Sequence, residues 1–162
     1  MTTTLLHDAY ILCLGQSDRI FQRGYLVIED DHITDVGDMS LLPNATYDQR
    51  IDASGKLIMP GLVNAHTHTP MTLFRGLAEG VSLFTLEGWY NTIRVLELVM
   101  TPDMVPSAVA VACAEMIRTG TTTFADQYFF MDEVIPTVAQ SGLRAALGYG
   151  VVELGDPVAR ER

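Results

Sequence analysis

Apolar positions along the chain follow two different periods. From residue 5 to about 54 they come in short stretches broken by turn-forming residues: AYILCLG, GYLVIEDDHITDVGD and TYDQRIDASGK. In YLVIEDDHITDVG, β-branched and apolar residues flank the Glu29-Asp30-Asp31 cluster, the pattern of a hairpin. An antiparallel β unit of three or four strands is expected here. Residues 57–66, LIMPGLVNAH, form a mostly apolar run that reads as one strand buried on both faces, with Pro60 at a bulge or at the strand's start. Beyond it the spacing becomes helical. Over residues 83–100, Leu86, Trp89, Tyr90, Ile93, Leu96 and Met100 recur every three or four positions and predict one inward face. Thr101-Pro102-Asp103 supplies an N-cap, a proline for the first helical position and a first-turn acid, and Gly120 is placed to end a helix over 102–119. TTTFADQYFF predicts a strand over 121–129, MDEVIPTVAQSG a helix with Pro136 awkwardly far inside it, and LRAALGYGVVE a strand over 143–153.

Strands alternating with helices predict an α/β fold, βα units around a parallel sheet. Three parallel strands need cover on both faces and further neighbours. The chain closes on GDPVARER, where Asp156-Pro157 could open another helix that is not completed, so it reads as cut short.

Composition narrows the function classes. At 162 residues, 48% hydrophobic and 19% charged, the chain suits about one domain with a buried core. Ten basic against 20 acidic residues leave a net charge of -10, which disfavours nucleic-acid polymers and anionic membranes as partners. Cys13 and Cys113 have no CxxC spacing, so neither a disulfide framework nor a thiolate zinc site is suggested, and a reducing cytoplasm fits. MTTTLLHDAYILCL has no basic segment before its apolar residues, and no run of about 18 apolar residues occurs, so the chain reads as soluble and without a targeting segment.

The candidate chemistry starts at His66 and His68. Residues two apart in a strand share one face, so both imidazoles can reach a common point, and imidazole is a common zinc ligand. The alternative is a pair satisfied by ordinary hydrogen bonds. Their place at the end of a parallel strand, where α/β folds carry their chemistry, favours metal. His7 and His32 read as ordinary surface residues. Catalytic zinc uses three protein ligands plus water, and only two are well placed here, so the site is half built and no catalytic group beyond the ligands is assigned.

At 100° per residue Glu97 falls inside the apolar stripe, where a carboxylate needs a partner. It is either the ion-pair partner of Arg94 or Arg75, or an acceptor for ligand hydroxyls. Trp89 is a core aromatic or a stacking platform. Gln127, near the end of its strand, faces the pocket or belongs to a strand-to-helix turn. Arg75 binds an anionic group or ties loops together. The glycines of LGYGVVELG lack the dinucleotide-binding spacing.

The run MPGLVNAHTHTPMTLFRGLAE, followed by GTTTFADQYF, resembles the amidohydrolase superfamily. Within it, the chain is similar to the cytosine, nucleoside and triazine-hydrolase branch, most of all to deaminases of S-adenosylhomocysteine and methylthioadenosine. The resemblance implies a (β/α)8 barrel with a small β-sandwich built from both chain ends. Residues 1–56 would form the N-terminal part of the sandwich and residues 57–162 the first three βα units. It further implies one divalent metal, commonly zinc, held by His66 and His68, with a third histidine, an aspartate and a proton-moving glutamate from strands beyond these.

The implied reaction is hydrolytic deamination of an adenosine-type nucleoside by hydroxide generated on the metal, where the pKa of water falls to roughly 7. An s-triazine chlorohydrolase or aminohydrolase and a guanine-type deaminase are the alternatives within the family. In nucleoside deaminases a glutamate after a similar tryptophan contacts the ribose, which assigns Trp89 and Glu97 to a nucleoside or heteroaromatic substrate, and Gln127 joins them by its place near the end of the second barrel strand. A homo-oligomeric full-length form belongs to this expectation, as does inactivity of the 162 residues alone. The rival of another class is a truncated metal- or ligand-binding module that does not catalyse.

Overall fold

The computed structural model describes residues 1–15, 18–82 and 85–151. The chain divides into two units, Met1–Pro60 and Gly61 onward.

The first unit is a sheet of β1 (Thr3–Cys13), β2 (Arg19–Glu29), β3 (His32–Asp38), β4 (Gln49–Asp52) and β5 (Leu57–Ile58). The predicted hairpin is present: β2 and β3 pair antiparallel from Glu29 opposite His32, and Asp30 takes a left-handed φ of 53° in the turn. The expectation of an all-antiparallel unit is corrected. β4 and β5 both run parallel to β1, because residues 39–48 carry the chain from the β3 edge across to the far side of β1. Alternation marks which residues face the core but not strand direction, so this crossover was not legible. Asp48 fastens it, accepting from Thr3 N and Thr3 Oγ1 at 2.7 and 2.9 Å. β2 sends Leu26 to one hydrophobic cluster and Tyr25 and Val27 to another.

The single strand expected over 57–66 is two. Leu57 and Ile58 pair with Tyr10 and Ile11, whereas β6 (Leu62–Thr67) belongs to the second unit's sheet. Pro60, without an N–H, sits in the break. Gly61 follows because no larger residue fits: a Cβ there would lie 2.2 Å from Thr122 Cγ2. Gly61→Ala is therefore expected to lower stability by about 1–3 kcal/mol, part of it recovered by Thr122→Gly, as thermal melts of the single and double variants would show.

In the second unit β6 is followed by a 3-10 turn (Thr69–Phe74), α1 (Leu86–Trp89), a π-helical turn (Tyr90–Arg94), α2 (Val95–Val99), a 3-10 turn (Pro102–Met104), α3 (Val105–Arg118), β7 (Thr121–Tyr128), α4 (Met131–Ser141) and β8 (Arg144–Tyr149). The three strands are parallel with β7 in the centre. Among the described residues β6 pairs with β7 alone, and Leu62 and Val63 are 51% and 69% exposed. One core gathers Val105, Val109 and Cys113 of α3, Phe124 and Tyr128 of β7, and Val134 and Val138 of α4. Those contacts hold α4 continuous through Pro136. Gly120 and Gly142, both left-handed, end α3 and α4.

The helix expected over 83–100 is also broken. Ile93 and Met100 are buried, but Leu86 and Tyr90 are exposed and Arg94 is buried instead. The π turn inserts extra chain into one turn and rotates the residues beyond it, shifting the buried stripe. Thr101 stands at a cap position, yet its hydroxyl makes no capping bond. Residues 83–84, the expected strand end at 152–153 and Asp156-Pro157 lie outside the described residues.

Candidate metal and substrate site

His66 on β6 and His68, which caps the 3-10 turn just past it, come to one point beside the end of β7. Their Nε2 atoms are 3.2 Å apart and their rings nearly perpendicular, at 82°. His68 Nδ1 lies 2.6 Å from the carbonyl oxygen of Gln127. A carbonyl only accepts, so Nδ1 carries the proton and Nε2 presents its lone pair toward His66. Two nitrogens bound at 2.0–2.1 Å to one tetrahedral ion stand about 3.3 Å apart. The separation and the tautomer this contact implies therefore fit a shared divalent cation, with the backbone hydrogen bond that metal-binding histidines commonly make. A cavity of about 180 Å³ opens here, lined by both histidines, Asp126 and Gln127.

Among the described residues, one group of three potential ligands lies close together, and it is elsewhere: His7, Asp8 and Asp52 in the first unit. Those side chains are engaged locally. Asp8 accepts from Arg23 and contacts His7, and Asp52 accepts from Ser54. His32 is exposed beside Asp31.

A second cavity, about 160 Å³, shares His68 and Gln127 and is lined further by Trp89, Glu97, Tyr128 and Phe129. The residues singled out for substrate in the sequence, Trp89, Glu97 and Gln127, thus meet one another and His68 around one space. Glu97 is 5% exposed. Its Oε1 accepts from the Tyr128 hydroxyl at 3.0 Å, and its Oε2 faces Arg94 Nη1 at 3.4 Å. Burial pushes the Glu97 carboxyl above the usual range, and the bonds from Tyr128 and Arg94 offset this in part. Tyr128 is pushed upward too, by burial first and then by the Glu97 charge. Arg94 also stands over the Phe129 ring, 5.8 Å from its centroid.

Of the two partners considered for Glu97, Arg94 is the one present. Arg75 instead forms a bidentate pair with Glu115 at 2.6 and 2.7 Å, exposed on both sides, tying the segment after the 3-10 turn to α3. Two residues of the site went unnoticed in the sequence. Tyr128 resembled any core aromatic, since nothing local reveals what its hydroxyl meets. Asp126 carried a signal that could have been used: a carboxylate on the same strand face as Phe124 and Tyr128 must be partnered.

Residues 57–162 match the model of the amidohydrolase family. Among curated proteins, the chain is 44% identical over 154 residues to a 5'-deoxyadenosine deaminase of Methanosarcina mazei, covering 95% of this chain and 34% of that protein. It is 41% identical over 151 residues to a 5-methylthioadenosine/S-adenosylhomocysteine deaminase of Syntrophomonas wolfei, covering 93% and 34%. It spans about a third of the length of these relatives. Among solved structures, an adenosine deaminase from Xanthomonas campestris with bound zinc superposes with a TM-score of 0.75 at 30% identity, over 89% of this chain and 33% of that one. An atrazine chlorohydrolase from Arthrobacter aurescens complexed with zinc superposes with a TM-score of 0.79 at 21% identity, over 95% and 37%. The α/β fold is accordingly of the (β/α)8-barrel type found in these hydrolase structures, of which the chain covers 33–37%. With its HxH strand, its parallel βα units and this degree of identity, the chain belongs to the amidohydrolase family.

Proposed function

We propose that this chain supplies the HxH half of a zinc site and one wall of the substrate pocket in a hydrolase that deaminates an adenosine-type nucleoside, such as 5'-deoxyadenosine, methylthioadenosine or S-adenosylhomocysteine. The observation that carries the reading is the sharing of His68 and Gln127 between the imidazole pair's cavity and the one lined by Trp89 and Glu97. His66 and His68 hold a single divalent ion through their Nε2 atoms. When bound, zinc would supply Lewis acidity that lowers the pKa of water to about 7. The Gln127 carbonyl keeps His68 in the ligating tautomer. Trp89 offers a ring face to the purine, and Gln127 contributes its amide at the cavity edge. Glu97, anchored by Tyr128 and Arg94, accepts hydrogen bonds from sugar hydroxyls.

Relatives named as nucleoside deaminases at 41% and 44% identity support this substrate class over a triazine. In the same proposal residues 1–56 belong to the sandwich and 57–162 to the first three βα units. The protein is cytoplasmic and acts on a small molecule without binding nucleic-acid polymers or membranes, and its full-length form is a homo-oligomer.

The test is ammonia release from those three nucleosides by the gene product that carries this chain, before and after chelation. Zinc-dependent release is expected. Dechlorination of a triazine with all three nucleosides left intact would overturn the reading.

A further inference from the structure

We propose that Asp126 is a positioning residue for His68, acting through Thr69 to aim the imidazole at His66. The proposal rests on the metal reading above only for what that orientation serves. Asp126 lies on the central strand β7 and is 4% exposed. Both of its oxygens accept from Thr69 N, at 3.1 and 3.3 Å, and Oδ2 also accepts from the buried Thr69 hydroxyl. Thr69 opens the 3-10 turn, and the residue at that turn's cap position is His68. A cap residue usually turns its own side chain back onto the exposed N–H groups, but His68 makes no such bond. Its ring is directed to the Gln127 carbonyl and to His66 instead. The carboxylate that caps the turn comes from 57 residues away in sequence.

Neighbouring bonds make this a three-point hold. Thr67 Oγ1 donates to the Ala125 carbonyl at 2.8 Å, His68 Nδ1 to the Gln127 carbonyl, and Thr69 to the Asp126 side chain. Residues 67, 68 and 69 are each tied to one of 125, 126 and 127. Since β6 and β7 lose regular pairing between Asn64 and Thr67, these bonds replace the ladder where the histidines leave the strand. Both Asp126 oxygens are occupied by Thr69, so although Asp126 borders the cavity its role is to hold the turn and, with it, the ring.

The experiment uses the 15N-labelled gene product that carries this chain and reads the His66 and His68 tautomers from imidazole nitrogen–carbon-proton correlations. The variants are Asp126→Ala, Asp126→Asn, which keeps an oxygen for the Thr69 N–H, and Thr69→Val, which removes only the hydroxyl. In the parent, His68 is expected in the Nδ1–H form. Asp126→Ala should mix the two tautomers and weaken zinc binding, measured against a chromogenic chelator, by about 10–100-fold. Asp126→Asn should restore most of both, and Thr69→Val should fall between. A loss of melting temperature alone would mark a merely structural role. Unchanged His68 tautomer and zinc affinity in Asp126→Ala and Thr69→Val overturn the proposal, and if Asp126→Ala does not fold, Thr69→Val and Asp126→Asn decide it by the same readouts. Zinc that shifts neither histidine in the parent ends the metal reading instead, while the tautomer comparison, which needs no ion, still decides Asp126.

Discussion

Replacing either His66 or His68 with alanine is expected to lower zinc affinity by more than about 100-fold and to abolish zinc-dependent turnover in the gene product that carries the chain, whereas His7→Ala and His32→Ala leave both unchanged. The separation of effects comes from geometry. His66 and His68 bring their Nε2 atoms to 3.2 Å of each other, the span of two ligands on one ion. Losing a partner of a ligand costs about 10–100-fold in affinity, so losing the ligand itself costs more. His7 is held against Asp8 on β1, and His32 is exposed in the β2–β3 hairpin. Metal analysis of the four purified variants settles the matter. Full zinc content in both HxH variants would reduce that pair to structure.

Glu97→Ala and Glu97→Gln should differ sharply in stability. Alanine leaves the Arg94 charge and the Tyr128 hydroxyl without their acceptor in a buried place, at a cost of about 3–5 kcal/mol. For a domain of this size that lowers the melting temperature by roughly 6–20 °C. Glutamine gives up the charge but keeps an oxygen as acceptor and adds no cavity, so it should cost less, about 1–2 kcal/mol. The pH dependence carries a definite sign. A carboxyl whose pKa is raised on folding binds more protons in the native chain, so its contribution declines as pH rises from the ordinary carboxylate value through the raised one and is level above. Urea titrations across that window should show this decline in the parent and lose it in Glu97→Gln. In the carrying gene product, glutamine should also reduce selection for nucleosides with intact sugar hydroxyls by roughly ten- to several-hundred-fold in kcat/KM, as for a charged hydrogen bond lost in a dry pocket. A glutamine variant that melts as early as alanine while keeping selectivity would make Glu97 purely a partner of Arg94.

What the sequence by itself determined was local. The Glu29-Asp30-Asp31 turn, the glycines that end α3 and α4, the alternation of strand and helix after residue 61 and the shared face of His66 and His68 all arise from dihedral preferences and from periods of two or three to four residues. Glu97 was legible as buried because one helical projection sufficed to put a charge among apolar side chains. The tertiary structure alone decided the rest. It made β4 and β5 parallel to β1, divided LIMPGLVNAH between two sheets, and shifted the stripe of residues 86–100 by a π turn. It also chose partners: Arg94 rather than Arg75 for Glu97, Tyr128 across 31 residues, and Asp126 for Thr69 across 57. A residue's own pattern encodes which side of its element is apolar. Which buried polar group meets which is set when separate elements close on one another, because a donor and an acceptor far apart in sequence acquire a common address only through packing.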